Sequence, residues 1–374
     1  MNGKHYKAWL LGTFLILVLC GGIPWRVVRA EPAAQGATVS KTISDKILTY
    51  IRERFGVPDT VKLSLGPLHA SALAPSFNEG LVTVDDGKSL HTQQVLVSKD
   101  SRYLIVVVGN ILEIHQNSTA EMARRIQEVF KIPATMKVSV GGFKRSPSPD
   151  FQQGTLSWDD GGANKQDREV LLTRDGKHLI VSEMYSLAVD PKMEALRIIQ
   201  LRDEPTQGPA NAPVTIVEYA DLECPTCARV QEFLETQVVP HYGNKIRVVF
   251  KEYPLPMHDW SLTAAIACQC AYELNPSSYV PLRSAIFRNQ QLINITNLRE
   301  TLLSYAEQAG VERVKLAGCL DAKSSYPRIQ RDVAEAKRMS VNQTPTLFIN
   351  GRMMIGLPSE QAYFQAIDEA LRGK

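Results

Sequence analysis

The chain has 374 residues, which is long for one ordinary domain and predicts two or three domains. Hydrophobic residues make up 44% of the sequence and charged residues 22%, a composition that excludes a disordered chain and a multi-span membrane protein. The net charge of +3 is small for this length, and no phosphate-binding glycine loop or basic stretch interleaved with aromatic residues occurs, so we predict no nucleic-acid partner.

The first thirty residues predict export. Lys4 and Lys7 precede an apolar run that ends near Cys20 and is shorter than the about 20 apolar residues of a membrane span. A positive start, an apolar middle and a small-residue exit are typical of a signal peptide. We therefore predict that residues 1–30 are removed after Ala30 and that the protein is periplasmic or otherwise extracytoplasmic. An uncleaved membrane anchor is the alternative, and lipidation at Cys20 is less favoured because a bulky residue precedes it.

The cysteines of the exported chain are confined to its last part. Five follow the predicted cleavage site: Cys224, Cys227, Cys268, Cys270 and Cys319. In an oxidising compartment cysteines tend to pair, and an odd number leaves one thiol over. We therefore expect the sulfur chemistry of this protein in a single C-terminal domain.

The first half of the sequence contains an internal repeat. Three segments recur 75 positions later without a net gap: 54–58 as 129–133, 61–64 as 136–139, and 96–106 as 171–181. Such self-similarity predicts two copies of one structural unit. We assign them to residues 40–114 and 115–190.

Each copy is predicted as a small α+β module. Ile43 and Ile47 have helical spacing, as have Met122 and Ile126 in the second copy, and alternating apolar residues that predict strands follow both helices. Asp175-Gly176 is a hairpin turn signal. Neither copy contains Cys, His, Asp and Glu at ligand spacing, so we predict binding or assembly rather than catalysis for these modules.

The second copy resembles a known domain. The residues that carry the resemblance are 170–180 and Met184-Tyr185-Ser186-Leu187. They are similar to the N-terminal domain of periplasmic disulfide isomerases of the DsbC and DsbG type. That resemblance implies a module that mediates dimerisation and is joined to a catalytic domain by a helical linker, here residues 191–208. Because this chain carries two copies, we expect either a dimer or intramolecular pairing of the modules.

The C-terminal half begins after a proline-rich boundary at 205–213. A buried strand is predicted at 214–219, followed by Cys224-Pro225-Thr226-Cys227 and a helix-compatible run. Cys224 would lie at the start of that helix, where unpaired N–H groups and the helix dipole stabilise a thiolate and lower the thiol pKa. Cys227 lies one turn further on and is predicted as the resolving thiol.

A Cys-x-x-Cys pair alone is a weak motif, since it also occurs in structural bridges and in zinc sites. Zinc would need two more ligands, and the only candidate, Cys268-Gln269-Cys270, has poor spacing for zinc if it lies in a helix. We therefore predict a redox-active pair with no metal and no cofactor.

Two further features favour redox chemistry. Glu218 precedes Cys224 by six positions, and a buried carboxylate there would accept the proton of the resolving thiol, whereas a solvent-facing Glu218 is the alternative. Thr344-Pro345 precedes a predicted strand, and a cis bond before Pro345 would present the backbone of Thr344 to an extended peptide. An ordinary trans proline is the alternative.

Residues 209–374 resemble the DsbA-like branch of the thioredoxin superfamily through segments 212–219, 224–227 and 341–351 and the closing helix near 362–371. The resemblance implies an α/β thioredoxin fold with an inserted helical subdomain at about 259–326. It further implies roles for four residues: Cys224 attacks, Cys227 resolves, Glu218 is the buried acid and Pro345 is the cis-proline.

The same resemblance implies a second disulfide within the insertion. Cys270 and Cys319 fall where relatives carry that pair, which leaves Cys268 as a buried thiol. Pairing of Cys268 with Cys319 is the alternative.

We therefore predict an exported thiol–disulfide oxidoreductase that acts on exported proteins carrying thiols or disulfides and depends on a membrane redox partner. Pro225-Thr226 and the helical insertion favour an oxidase, whereas the N-terminal modules and Thr344 favour an isomerase or reductase. The direction of electron flow stays open. A noncatalytic, chaperone-like binding protein with a structural Cys224–Cys227 bridge is the alternative from another class.

Overall fold

The computed structural model describes residues 40–116, 118–159 and 165–373. The predicted signal peptide and its cleavage site lie outside these residues. The chain divides into two compact units. The N-terminal unit contains Asp59–Asp190 and the described residues before Arg52, and the C-terminal unit contains Arg52–Pro58 and the chain from Pro191 onward. None of the helices described is both long and apolar enough to cross a membrane.

The N-terminal unit is built from two sheets and two helices. Its helices are α1 (Lys41–Arg54), the last turn of which belongs to the other unit, and α2 (Thr119–Val129). Its strands are β1 (Lys62–Leu65), β2 (His69–Ala70), β3 (Phe77–Asp85), β4 (Leu90–Ser98), β5 (Tyr103–Val106), β6 (Leu112–Glu113), β7 (Lys137–Arg145), β8 (Phe151–Asp159), β9 (Lys165–Thr173), β10 (His178–Ile180) and β11 (Met184–Ser186).

The two sheets exchange their last strands. One sheet has the order β1-β3-β4-β5-β11, with β2 beside β3, and the other has the order β7-β8-β9-β10-β6. Strand β6 follows β5 in the chain but pairs with β10, where Glu113 lies opposite His178. Strand β11 follows β10 but pairs with β5, where Tyr185 lies opposite Leu104. The edge strand of each sheet therefore follows, in the chain, the strand β5 or β10 of the other sheet.

Helix α2 covers one of these sheets. Met122 and Ile126 are buried against Leu156 and Val170, as their helical spacing predicts. The helix begins at Ser118, whose side chain accepts a hydrogen bond from the backbone N–H of Glu121. The amphipathic pattern determines which face of α2 is buried, and the cap determines where the helix begins.

The C-terminal unit has a mixed sheet with the order β12-β14-β13-β15-β16. Its strands are β12 (Thr206–Gln207), β13 (Val214–Ala220), β14 (Ile246–Glu252), β15 (Thr346–Ile349) and β16 (Arg352–Ile355). Its helices are α3 (Pro191–Ile198), α4 (Pro225–Phe233), α5 (Val239–Tyr242), α6 (Ser261–Leu274), α7 (Tyr279–Arg288), α8 (Leu298–Gln308), α9 (Arg313–Ala322), α10 (Tyr326–Arg338) and α11 (Glu360–Leu371). Strand β13 runs parallel to β14 and antiparallel to β15.

Both faces of the central strand β13 are buried. Ile216 and Ala220 belong to an apolar core on one face, together with α4, α6, α7 and α11. Val217 and Tyr219 belong to a second core on the opposite face. A strand buried on both sides needs the nearly continuous apolar run that the sequence has at 214–220.

The segment 191–208, which we predicted as a linker, packs within the C-terminal unit. Ala195 and Ile198 of α3 are buried in the same core as Val217 and Tyr219. Strand β12 pairs with β14 at the edge of the sheet. The boundary between the compact units lies at Asp190, before α3, because the apolar face of that helix is covered by the C-terminal sheet.

Below that sheet lies a buried group of charges. The ammonium group of Lys251 is 3.1 Å from Glu204, 3.2 Å from Asp332 and 3.1 Å from Glu335. Glu335 also accepts a hydrogen bond of 2.6 Å from the hydroxyl of Tyr219. These contacts tie α10 and the segment before β12 to the central strands.

Candidate active site

The cysteine pair lies where strand β13 passes into helix α4. Cys224 is the N-cap of that helix, with extended backbone angles, and Pro225 occupies its first turn, where a missing N–H costs no hydrogen bond. The backbone N–H of Cys224 donates to the carbonyl of Asp221 over 3.1 Å, and the carbonyl of Cys224 accepts from Ala228 over 3.2 Å. The turn before the helix and the first turn of the helix therefore fix the position of Cys224.

The two thiols of this pair lie in different environments. Cys224 is 8% exposed, whereas Cys227 is fully buried. Hydrogen bonding by Cys227 lowers the pKa of Cys224 to about 6 against the opposing effect of burial, with help from the N–H groups at the helix start. Burial raises the pKa of Cys227 well above its ordinary value. At neutral pH, Cys224 is consequently a thiolate and Cys227 a thiol.

The loop before β15 brings Thr344 to the cysteine pair. The Sγ atom of Cys224 lies 3.5 Å from the carbonyl oxygen of Thr344. The peptide bond between Thr344 and Pro345 is cis. The carbonyl of Pro345 accepts a hydrogen bond of 2.8 Å from the N–H of Gly356. The hydroxyl oxygen of Thr344 is also buried, and hydrogen bonding by the Thr344 side chain contributes to lowering the pKa of Cys224.

Glu218 lies inside the core beneath the pair. Because side chains alternate along a strand, Glu218 points to the same face of β13 as Ile216 and Ala220, whose core also contains Cys227. Glu218 is fully buried, and one carboxylate oxygen accepts a hydrogen bond of 2.9 Å from Arg283. Burial raises the pKa of Glu218, and the charge of Arg283 opposes that rise. The solvent-facing alternative for Glu218 is not seen.

Three residues that the sequence analysis did not single out also hold the turn. The N–H of Asp221 lies 3.4 Å from the sulfur of Cys227, and its carboxylate accepts 2.8 Å from a ring nitrogen of His258. Burial lowers the pKa of His258, but the hydrogen bond to Asp221 together with the negative charges of Asp221, Glu223 and Cys224 outweighs burial, and the net pKa is raised. Gln290 donates to the carbonyl of Cys224 over 3.1 Å. His258 and Gln290 come from distant segments without a local motif, so only the folded chain reveals them.

The second cysteine pair joins two helices of the insertion. Cys270 of α6 and Cys319 of α9 form a disulfide, with Cα atoms 6.0 Å apart. Cys268 is a buried free thiol. Cys268, Gln269 and Cys270 all lie within α6. Over the residues that the structure describes, no cluster of three or more His, Cys, Asp and Glu side chains is arranged to hold a metal ion.

Part of the chain that contains this site is similar to known proteins. Residues 200–369 match the thioredoxin family model. The C-terminal half therefore has a thioredoxin-like fold, a mixed sheet with helices on both faces, and the α/β class predicted for it is confirmed.

Solved structures resemble the same part of the chain at low identity. BdbD from Bacillus subtilis is 20% identical over 46% of this chain and 96% of its own, with a TM-score of 0.43. The protein α-DsbA1 from Wolbachia pipientis is 22% identical over 48% of this chain and 96% of its own, also with a TM-score of 0.43.

Curated relatives include much longer proteins. The Na(+)/H(+) antiporter NhaA of Herminiimonas arsenicoxydans is 29% identical over 185 residues, which are 50% of this chain and 27% of the antiporter. The antiporter NhaA 3 of Salinispora tropica is 31% identical over 44% of this chain and 24% of its own length. The chain thus spans about a quarter of the length of these relatives.

Proposed function

We propose that this protein is a thiol–disulfide oxidoreductase that exchanges disulfides with exported proteins through Cys224 and Cys227. The observation that carries the proposal is the placement of the two thiols: Cys224 caps α4 with its sulfur 3.5 Å from the carbonyl oxygen of Thr344, and Cys227 is buried behind it. Cys224, slightly exposed and with a pKa lowered to about 6, has the properties of a nucleophile. Cys227, buried and with a raised pKa, has those of a resolving thiol that reacts only after Cys224.

In the reducing direction the exchange takes two steps. The thiolate of Cys224 attacks one sulfur of a substrate disulfide, which forms a mixed disulfide and releases the other substrate sulfur as a thiolate. Cys227 then loses its proton and attacks the sulfur of Cys224, so that the Cys224–Cys227 bond forms and the second substrate thiolate leaves. The substrate gains two electrons and the cysteine pair loses two. An oxidase runs the same steps in reverse.

Glu218 and Thr344 support these steps. We assign Glu218 as the acceptor of the Cys227 proton, since it is buried on the same face of β13 as Cys227 and has a raised pKa. Thr344 offers its backbone beside the sulfur of Cys224, where an extended substrate segment would pair with the edge of the loop that ends at Pro345. The substrate sulfur would then be held over Cys224.

The sequence and the second cysteine pair together support an exported protein with a redox partner. The predicted signal peptide and the Cys270–Cys319 disulfide both suit an oxidising, extracytoplasmic compartment. There the pair Cys224–Cys227 needs a redox partner, which we assign to the membrane. The thiol pKa of about 6 lies between the values of about 7 and about 3.5 known for a reducing and a strongly oxidising relative, so either oxidase or isomerase activity suits it.

We further propose that the N-terminal unit is a tandem repeat whose two modules pair within one chain. Two pairs of positions 75 residues apart support this proposal, because both members of each pair lie in one shared core: Leu96 and Leu171, Ile105 and Ile180. Phe77 and Phe151, the first residues of β3 and β8, lie in the same core. The matching order of five strands in the two sheets and the exchanged strands β6 and β11 are further support. Such pairing would replace the dimerisation of DsbC-like proteins.

A refolding assay tests the proposed function. The full chain is added to reduced and to scrambled ribonuclease in a glutathione buffer, and recovery of ribonuclease activity is followed. We expect acceleration that Cys224→Ser abolishes and that Cys268→Ala, which changes a buried thiol outside the turn, preserves. Faster recovery from the reduced form alone indicates an oxidase, and faster recovery from the scrambled form indicates an isomerase. Equal recovery with and without the protein in both assays would support the noncatalytic alternative.

A further inference from the structure

Arg283 of helix α7 is a fully enclosed cation in the core of the C-terminal unit. Its side chain is 1% exposed, and it pairs with Glu218, whose side chain is fully buried, over 2.9 Å. The guanidinium carbon lies 4.6 Å from the ring centre of Phe250 and 4.8 Å from that of Phe287, so two aromatic rings contact this cation. Glu218 is therefore the principal ionic partner of the buried guanidinium group of Arg283.

The pair leaves one oxygen of Glu218 available. The oxygen Oε2 accepts from Nη2 of Arg283, whereas Oε1 is buried and has no hydrogen-bond partner among the described residues. Nη1 of Arg283 is likewise buried and unpartnered. A carboxylate with one oxygen engaged and one unengaged is arranged to accept a single proton.

Several other titratable groups act on this pair. Glu252 on the neighbouring strand is buried with a pKa raised to about 8 by burial, which Arg283 opposes, and it accepts 2.6 Å from the hydroxyl of Tyr279. The groups that interact electrostatically with Glu218, besides Arg283, are Glu235, Cys227 and Tyr363. All of these are acids, so Arg283 is the cation that compensates them.

We propose that Arg283 is a positioning residue for disulfide exchange: its ion pair opposes protonation of Glu218 in the core and leaves Oε1 unengaged, so that Glu218 takes the proton of Cys227 when the mixed disulfide is resolved. This proposal rests on the proposed function. Without the cation, a carboxyl group in an apolar core binds a proton of its own and no longer accepts one. The first step, the attack by Cys224, does not involve Glu218 and is independent of Arg283.

A stopped-flow reaction with 5,5′-dithiobis(2-nitrobenzoate) separates the two steps. Reduced protein, with Cys268→Ala in all samples, releases one coloured thiolate when Cys224 attacks and a second when Cys227 resolves the mixed disulfide. The variants are Arg283→Met, Arg283→Lys, Glu218→Gln and the double change Glu218→Gln/Arg283→Met. Arg288→Met, an exposed arginine at the end of the same helix, is the matched control. Both rates are recorded from pH 5 to pH 9.

We expect the second phase of Arg283→Met to slow by about tenfold or more at pH 7 and its pH profile to move to higher pH, while the first phase stays unchanged. Arg283→Lys and Arg288→Met should retain most of the second-phase rate. The double variant should equal Glu218→Gln alone, since Arg283 acts through Glu218. If Arg283→Met does not fold, the double variant still tests the inference, because neither charge of the pair is then left alone in the core and a rate well below that of Glu218→Gln would show that Arg283 does not act through Glu218.

The outcomes separate this inference from the proposed function. A second phase that Arg283→Met leaves unchanged, or a double variant much slower than Glu218→Gln, would overturn the role of Arg283. Absence of the first phase in the protein that keeps Glu218 and Arg283 would instead contradict disulfide exchange through Cys224.

Discussion

The sulfur of Cys224 lies 3.5 Å from the backbone carbonyl of Thr344, although 120 positions separate the two residues in the chain. Helix α4 positions the sulfur and the loop before β15 positions the carbonyl. A peptide that pairs with this loop would therefore lie against the nucleophile. The reactive sulfur of Cys224 thus lies beside the backbone of Thr344, which can orient the substrate.

The thiol of Cys224 should ionise near pH 6. Because the thiolate is the reactive form, alkylation of Cys224 by iodoacetamide should speed up as the pH rises through about 6 and level off above it. In Cys227→Ala the principal hydrogen bond to the thiolate is lost, so the midpoint should move to higher pH. Thiolate absorbance at 240 nm provides the independent measurement. A midpoint near the ordinary value of 9.0 in the unmodified protein would contradict the account.

The charge of Lys251 should be essential for stability. Its ammonium group compensates Glu204, Asp332 and Glu335, which are all buried. Lys251→Met removes the cation beside Asp332 and Glu335, whereas Glu204 keeps Arg328 at 3.1 Å, and should lower the free energy of unfolding by about 3–5 kcal/mol in urea titrations. Lys245→Met, at an exposed lysine, is the control and should change the free energy by less than about 1 kcal/mol. Equal stability of the two variants would refute the assignment.

The disulfide between Cys270 and Cys319 should be structural. It closes a loop with a sequence separation of 49, so replacing both cysteines with alanine should lower the free energy of unfolding by about 2–4 kcal/mol. The pH midpoint of Cys224 alkylation should not change. Peptide mapping of the protein after blocking of free thiols should recover Cys268 in the blocked form; a Cys268–Cys319 peptide would favour the other pairing.

The two modules of the N-terminal unit should depend equally on their shared core. Phe77 and Phe151 contact each other edge to face, with ring centres 5.5 Å apart. Phe77→Ala and Phe151→Ala should each lower the free energy of unfolding of this unit by about 3–5 kcal/mol, because both rings are buried in the same core. A chain whose modules pair internally should also be a monomer in light scattering. A strong effect at one position with none at the other, or a stable dimer, would argue against internal pairing.

Local sequence patterns were sufficient for the parts of the site that lie close together in the chain. The strand at 214–219, the start of α4 at Cys224 and Pro225, and the position of Glu218 all follow from alternation, proline placement and spacing. The same holds for α2, where the apolar spacing of Met122 and Ile126 predicts the helix.

The remaining features depend on packing between distant segments. Arg283, His258 and Gln290 reach the site because the helices of the insertion fold over α4, and nothing in their own neighbourhoods distinguishes them from surface residues. The exchange of β6 and β11 between sheets is also a long-range pairing, and sequence periodicity does not specify which strands become neighbours.

The reduction potential of the Cys224–Cys227 pair is the most direct measure of whether these residues exchange disulfides. The full chain is equilibrated with glutathione buffers of defined ratio, and the fraction of reduced Cys224 is measured by alkylation and mass spectrometry. We predict a potential between about −120 and −270 mV, the range of proteins that exchange disulfides. A potential below about −300 mV, typical of structural bridges, would contradict it.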